Sequence, residues 1–262
     1  MKFGVCGDRN LAAVAARNSY DFAEWTVPAL LKPLESEDAF RASLEALRAT
    51  ELPYPVANCF VPGELKITGP DVDRSALQAY VTTTMERAER TGVRIIVFGS
   101  GGARRIPEGF EPLRAHDQLV AFCRVAAPAA CDHGVTVAVE PLNRAECNVL
   151  TTVDECATLV KEVAHPAIRL LVDAYHLMKD RDSYDDIVRH GDLLVHVHIA
   201  TVPGRLAPDA EPCDFSRFFG ALAKAHYTGR VSIEAKITNA EAELPEALTV
   251  MRKYAVSQRS GC

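Results

Sequence analysis

Eight short apolar runs, rich in β-branched residues, recur along this chain, and patterned helical segments fill the gaps between them. The runs are KFGVCG (2–7), YDFAEWTV (20–27), YPVANCFV (54–61), RIIVFGS (94–100), VTVAVEP (135–141), IRLLVDA (168–174), LLVHVHIA (193–200) and VSIEAKI (231–237). Each reads as a buried strand. SEDAFRASLEALRAT (36–50) and DRSALQAYVTTTMERAERTG (73–92) carry apolar residues at three- and four-residue spacing, the mark of an amphipathic helix. Both open on Ser or Asp in an N-cap-like position, and the second closes on Gly92. Residues 117–134, 152–164, 214–229 and 242–257 read the same way, with shorter segments at 10–18 and 183–191.

Strand and helix alternating eight times predict an α/β fold, a single-domain (β/α)₈ TIM barrel over residues 1–256. The tail SQRSGC (257–262) reads as frayed. A doubly wound open sheet would need only five or six strands, and no GxGxxG follows the first one.

Composition removes several function classes. The 262 residues are 48% hydrophobic and 24% charged, enough to bury a core without disulfide or metal staples. A net charge of −6 argues against a nucleic-acid or anionic-membrane surface. The eight cysteines form no CxxC pair, so neither a zinc ribbon nor a disulfide framework is expected. MKFGVCGDRN enters a strand directly, without a secretory apolar segment, and no run reaches membrane-spanning length. A cytoplasmic enzyme with reduced thiols is the expectation.

Barrels of this type carry their active sites at the C-terminal ends of the strands. Strand five ends in Glu140, six in Asp173, seven in His198 and eight in Glu234. One such carboxylate is usually a helix cap, and one such histidine a hydrogen-bonded core residue. Four on consecutive strands are harder to explain in that way. Three carboxylates in one cleft repel one another unless a cation sits among them. Three oxygens and an imidazole suit Mn²⁺, Mg²⁺ or Co²⁺, with Zn²⁺ within reach, although structural zinc prefers sulfur and nitrogen. His176, three residues past Asp173 in DAYH, can reach the same cleft as a neighbour of the ligands or a substrate partner.

With VEPLNRAE (139–146), LLVDAYH (170–176), HVHIATVPGR (196–205) and SIEAK (232–236) in view, the chain resembles the xylose-isomerase-like barrel superfamily. It is most similar to the ketose 3-epimerases and hydroxypyruvate isomerases. The resemblance implies that Glu140, Asp173, His198 and Glu234 bind one metal ion. It also implies that Glu146, His176 and Arg205 contact a small-molecule sugar substrate. The chemistry implied is proton removal α to a carbonyl, giving a cis-enediolate, with Glu140 and Glu234 as the two proton-transfer groups. Return of the proton to the same carbon from the other face is epimerisation; return to the neighbouring carbon is aldose–ketose isomerisation.

Two departures bear on the substrate. Strand eight continues as EAK, where many relatives have a proline after the glutamate, so Lys236 is expected on the same face as Glu234, within reach of the cleft. Ala145 replaces an aromatic residue. Lys236 also sustains a competing reading, a keto-sugar or inositol lyase (dehydratase). An apurinic endonuclease on the same fold would need extra histidines on strands three and four, which end instead in Asn58–Cys59 and Phe98–Gly99. A barrel that only binds conflicts with the intact ligand set. In the glycine-rich loop 98–110, Arg104 or Arg105 is a candidate phosphate contact, against the alternative of a plain tight turn. Trp25 and Cys59 read as packing residues, and His196 as a deeper, hydrogen-bonded layer. The apolar barrel exterior makes a dimer or tetramer plausible.

Overall fold

The structure is a computed structural model and describes residues 1–257; the expected tail lies outside the described residues apart from Ser257. Eight parallel strands close into one barrel in sequence order. They are β1 (Lys2–Cys6), β2 (Phe22–Thr26), β3 (Val56–Asn58), β4 (Ile95–Phe98), β5 (Thr136–Val139), β6 (Ile168–Asp173), β7 (Leu194–Ile199) and β8 (Arg230–Ile233). The helices are α1 (Arg9–Arg17), α2 (Val27–Leu30), α3 (Glu37–Arg48), α4 (Arg74–Thr91), α5 (Gly101–Arg104), α6 (Pro112–Asp132), α7 (Val153–Val163), α8 (Ala174–Asp180), α9 (Tyr184–Arg189), α10 (Ser216–Lys224) and α11 (Ala240–Ser257). None is long and apolar enough to cross a membrane among the described residues.

Strand residues alternate between two cores. Outward-facing Val5, Ile96, Val139, Val172, Val197 and Ile233 pack with Leu119, Leu159, Phe218 and Leu244 from the surrounding helices. Each fully buried side chain of this kind stabilises the fold by about 1.5–3 kcal/mol. Inward-facing Phe22, Val56, Ile95, Val97, Ala138 and Leu171 fill the barrel itself. Gly4 makes room there: a Cβ on it would lie 2.3 Å from the Phe22 ring. Above this plug the inward positions turn polar, and Glu24, His196, His198 and Ser232 are fully buried. The pairings Cys6–Glu24, Thr26–Asn58, Phe98–Val139 and Asp173–His198 bring the strand ends to a common rim.

Helix boundaries depart from the sequence expectation where capping decides them. α6 starts at Pro112, ahead of its apolar pattern, because Pro suits the first turn and the Glu111 side chain accepts from the Arg114 N–H at 2.8 Å. The sixth crossover contains two helices, not only the expected 183–191 segment. α8 begins directly on Asp173, whose carboxylate accepts from the Tyr175 N–H at 2.8 Å.

Candidate active site

All four predicted strand-end residues reach the C-terminal mouth. Asp173 is the last residue of β6; Glu140 and Glu234 each lie one residue beyond β5 and β8. Their backbone N–H groups extend the sheet ladder, Glu140 to the Phe98 carbonyl (3.2 Å) and Glu234 to that of Ile199 (3.1 Å). The two side chains therefore start from fixed backbone. Glu140, Asp173, Glu234 and His176 each place a polar atom within 4.8 Å of the others. His198 adjoins this group through Nδ1, 3.1 Å from Glu140 Oε1 and 3.7 Å from Glu234 Oε2.

The hydrogen-bond network separates the two histidines. His176 Nδ1 accepts from the Asn143 backbone N–H at 3.2 Å and lies 2.7 Å from the Asn143 amide nitrogen. Its proton is thus on Nε2, which points into the cleft, buried, with no hydrogen-bond partner among the described residues. His198 is the reverse. Its Nε2 lies 2.9 Å from Glu24 Oε1, and a carboxylate only accepts, so Nε2 carries the proton. In the neutral ring, Nδ1 then presents a lone pair toward two carboxylates. Asp173 Oδ2, buried beside them, makes no hydrogen bond among the described residues and has His176 Nε2 3.4 Å away. Three carboxylates and one imidazole nitrogen crowded in a buried cleft fit a divalent cation. By the same logic His176, although near, offers a donor where a ligand needs a lone pair.

Charge is tightly coupled here. Burial pushes the Glu234 carboxyl up, the neighbouring Glu140 charge adds to that, and His198 and Arg205 pull against it; the result is about 7. Burial also opposes ionisation of Glu140, but the hydrogen bond and charge of His198 outweigh it and hold that carboxyl below its ordinary value. For His198, burial disfavours the cation, yet Glu24 and Glu234 overcome it and raise the imidazole well above its usual range. A proton on Nδ1 and a cation in the cleft would thus compete for one place.

Beside the carboxylates lies a polar lattice containing every predicted substrate residue. Arg205 Nη2 is 2.5 Å from Glu234 Oε2, and its Nη1 is 3.4 Å from both Glu146 oxygens. Its guanidinium sits 4.8 Å from the Tyr175 ring centroid. Asn143 donates from its amide to Glu146 Oε1 at 2.8 Å. Glu146 is exposed while Asn143 and His176 are buried, so the lattice runs from the cleft to its lip.

Several expectations require correction. Arg104 is fully buried and donates to the carbonyls of Phe98 (2.9 Å), Glu140 (2.7 Å) and Leu150 (3.2 Å); it ties the loop down and is not available to phosphate. Arg105 is exposed and donates to the Glu146 carbonyl. Lys236 is solvent-exposed, with no ion pair among the described residues, and its backbone N–H bonds the Arg205 carbonyl. Cys59 is exposed, in left-handed backbone (φ 53°), and is not a core residue. Trp25 packs, half-buried, against the outer core, and His196 is buried and hydrogen-bonded, both as expected. Sequence reasoning assigned no role to Glu24, nor to Asn58, whose amide donates to Glu234 Oε1 at 3.1 Å. Their only signal was period-two placement on inward faces.

An eight-stranded parallel barrel with a carboxylate–imidazole cluster at its C-terminal mouth defines a TIM-barrel protein with its site built on the strand ends. The chain belongs to the xylose isomerase-like TIM barrel family, whose model matches residues 12–254. It is 29% identical to the L-ribulose 3-epimerase of Methylomonas sp. over 89% of this chain and 80% of that one. With the D-psicose 3-epimerase of Agrobacterium fabrum it shares 33% identity over 41% of this chain and only 37% of the relative. Among solved structures it resembles the D-allulose 3-epimerase of Methylomonas sp. in complex with D-allulose, with TM-score 0.84, 21% identity and 97% of both chains covered. It also resembles the IOLI protein with a binding zinc atom, with TM-score 0.74, 16% identity and 99% and 98% covered.

Proposed function

We propose that this protein is a metal-dependent sugar epimerase of the ketose 3-epimerase type. The observation that carries the reading is the convergence of His198 Nδ1, Glu140, Glu234 and the buried Asp173 carboxylate beside the Glu146–Arg205–His176 lattice. The names of the relatives support the substrate class. A divalent ion held by Glu140, Asp173, His198 and Glu234 would polarise the substrate carbonyl and adjacent hydroxyl, lowering the barrier to proton loss at the neighbouring carbon.

The chain's own groups do the rest. His176 Nε2–H donates to a substrate oxygen, and Arg205 with Glu146 holds hydroxyls at the lip. One of Glu140 and Glu234 removes the proton α to the carbonyl, leaving an enediolate. The other returns a proton to the opposite face of the same carbon, which inverts it. Delivery to the adjacent carbon would instead give aldose–ketose isomerisation of the hydroxypyruvate isomerase kind. Nothing in the site needs to change between the two outcomes except where the substrate sits.

Chelator-treated protein incubated with D-allulose, L-ribulose, other ketoses and hydroxypyruvate, with and without Mn²⁺, tests the reading. A C3 epimer formed only when a divalent ion is restored is expected. No turnover of any ketose, or turnover indifferent to chelation, would contradict it.

A further inference from the structure

Beneath the site lies Glu24 on β2, whose side chain is 0% exposed. Both of its oxygens are committed. Oε1 accepts from His198 Nε2 at 2.9 Å; Oε2 accepts from His196 Nε2 at 2.9 Å and from the Ser232 hydroxyl at 2.7 Å. A buried carboxylate is costly unless hydrogen-bonded, and three donors from β7 and β8 meet that need here. Glu24 meets the proposed ligand set through His198 and lies within 4.8 Å of the Cys6 thiol, away from the substrate lattice.

We infer that Glu24 is a positioning residue: it fixes His198 as the ring that carries its proton on Nε2, so that Nδ1 is the nitrogen offered to the cleft. Without an acceptor at Nε2, the neutral ring would gain more by moving its proton to Nδ1 and donating to Glu140 Oε1, 3.1 Å away. That tautomer has no lone pair for a cation. Carboxylate partners behind metal-binding histidines act in this way, and their loss typically weakens metal binding 10–100-fold. Ser232 and His196 keep the Glu24 carboxylate from rotating, which ties its second oxygen to the barrel wall. The inference rests on His198 being a ligand in the proposed function, but the tautomer itself does not.

The test is nitrogen-15 NMR of histidine-labelled protein, paired with Zn²⁺ affinity by chelator competition, on wild type, Glu24→Leu and Glu24→Gln. Wild-type His198 is expected to keep its Nε2 proton with or without Zn²⁺. Glu24→Leu is expected to bind Zn²⁺ 10–100-fold more weakly and to show metal-free His198 without its Nε2 proton, the ring neutral and protonated on Nδ1 alone. Glu24→Gln can accept from only one of the two histidines, so at least one should change tautomer; it serves if the leucine variant does not fold. A wild-type His198 without a proton on Nε2 would overturn the inference, whatever the variants do. So would a folded Glu24→Leu protein with unchanged affinity and tautomer. If wild type binds no divalent ion, the proposed function fails while the tautomer measurement still decides the part played by Glu24.

Discussion

At the scale of single residues, the site depends on atoms whose alternatives are close at hand. Gly99 shows this most sharply: a Cβ there would lie 2.2 Å from Glu140 Oε2. Gly99→Ala must therefore displace the Glu140 carboxylate, a flexible end that can move without disturbing the core. The variant should melt within a few degrees of wild type yet lose roughly 100-fold in turnover, because small misplacements of reacting groups are that costly. Activity near wild type would mean that the position of Glu140 is not critical. Arg205 lies between Glu234 and Glu146. Arg205→Ala should lower kcat/KM by about tenfold or more while the protein still binds a divalent ion; loss of metal binding would place Arg205 with the ligands instead. Glu24 and Asn58 were not legible as site residues because one inward carboxylate or amide on a strand has no motif. Only the closed barrel brings β2 and β3 against β7 and β8.

Among the elements, the loop between β4 and α6 is held by one buried side chain. Arg104 donates to three carbonyls, including that of Glu140. Arg104→Met would leave buried acceptors unpaired and should destabilise the protein by about 2–4 kcal/mol, measurable by urea denaturation. A loss under about 0.5 kcal/mol would show that the loop holds itself. The strand ends were legible because a buried apolar run that stops on a charge marks its own terminus. The four-residue helices α2 and α5, and α8 with them, were not. Such short segments carry too few residues to show a period, and Asp173 capping Tyr175 is a local contact that apolar patterning does not register.

For the molecule as a whole, the helical shell is pinned by ion pairs outside the barrel, and these give stability a pH dependence separate from the site. Asp154 at the start of α7 meets His190 after α9 at 2.9 Å and Arg189 at 3.4 Å. The His190 hydrogen bond is the main cause that holds its carboxyl below the ordinary value. A folded-state pKa below the unfolded one adds stability above the unfolded value, near 3.9, and loses it as pH falls through the folded value. Wild type should therefore be modestly more stable than Asp154→Asn at pH 6–7, with the gap closing toward pH 3 in thermal scans. A gap that widens on acidification would reverse the sign of this contribution.

In the proposed reaction two carboxylates share one cleft and move a proton across one carbon. Incubating the Mn²⁺-loaded protein with a ketose in D₂O reads it directly. Deuterium is expected at C3 of the epimer formed, with Glu140→Gln and Glu234→Gln each lowering turnover by roughly two or more orders of magnitude. One of the two variants should still exchange the C3 hydrogen of a single epimer without inverting it. Product that carries no solvent deuterium at C3, or either glutamine variant turning over near the wild-type rate, would contradict the two-carboxylate mechanism.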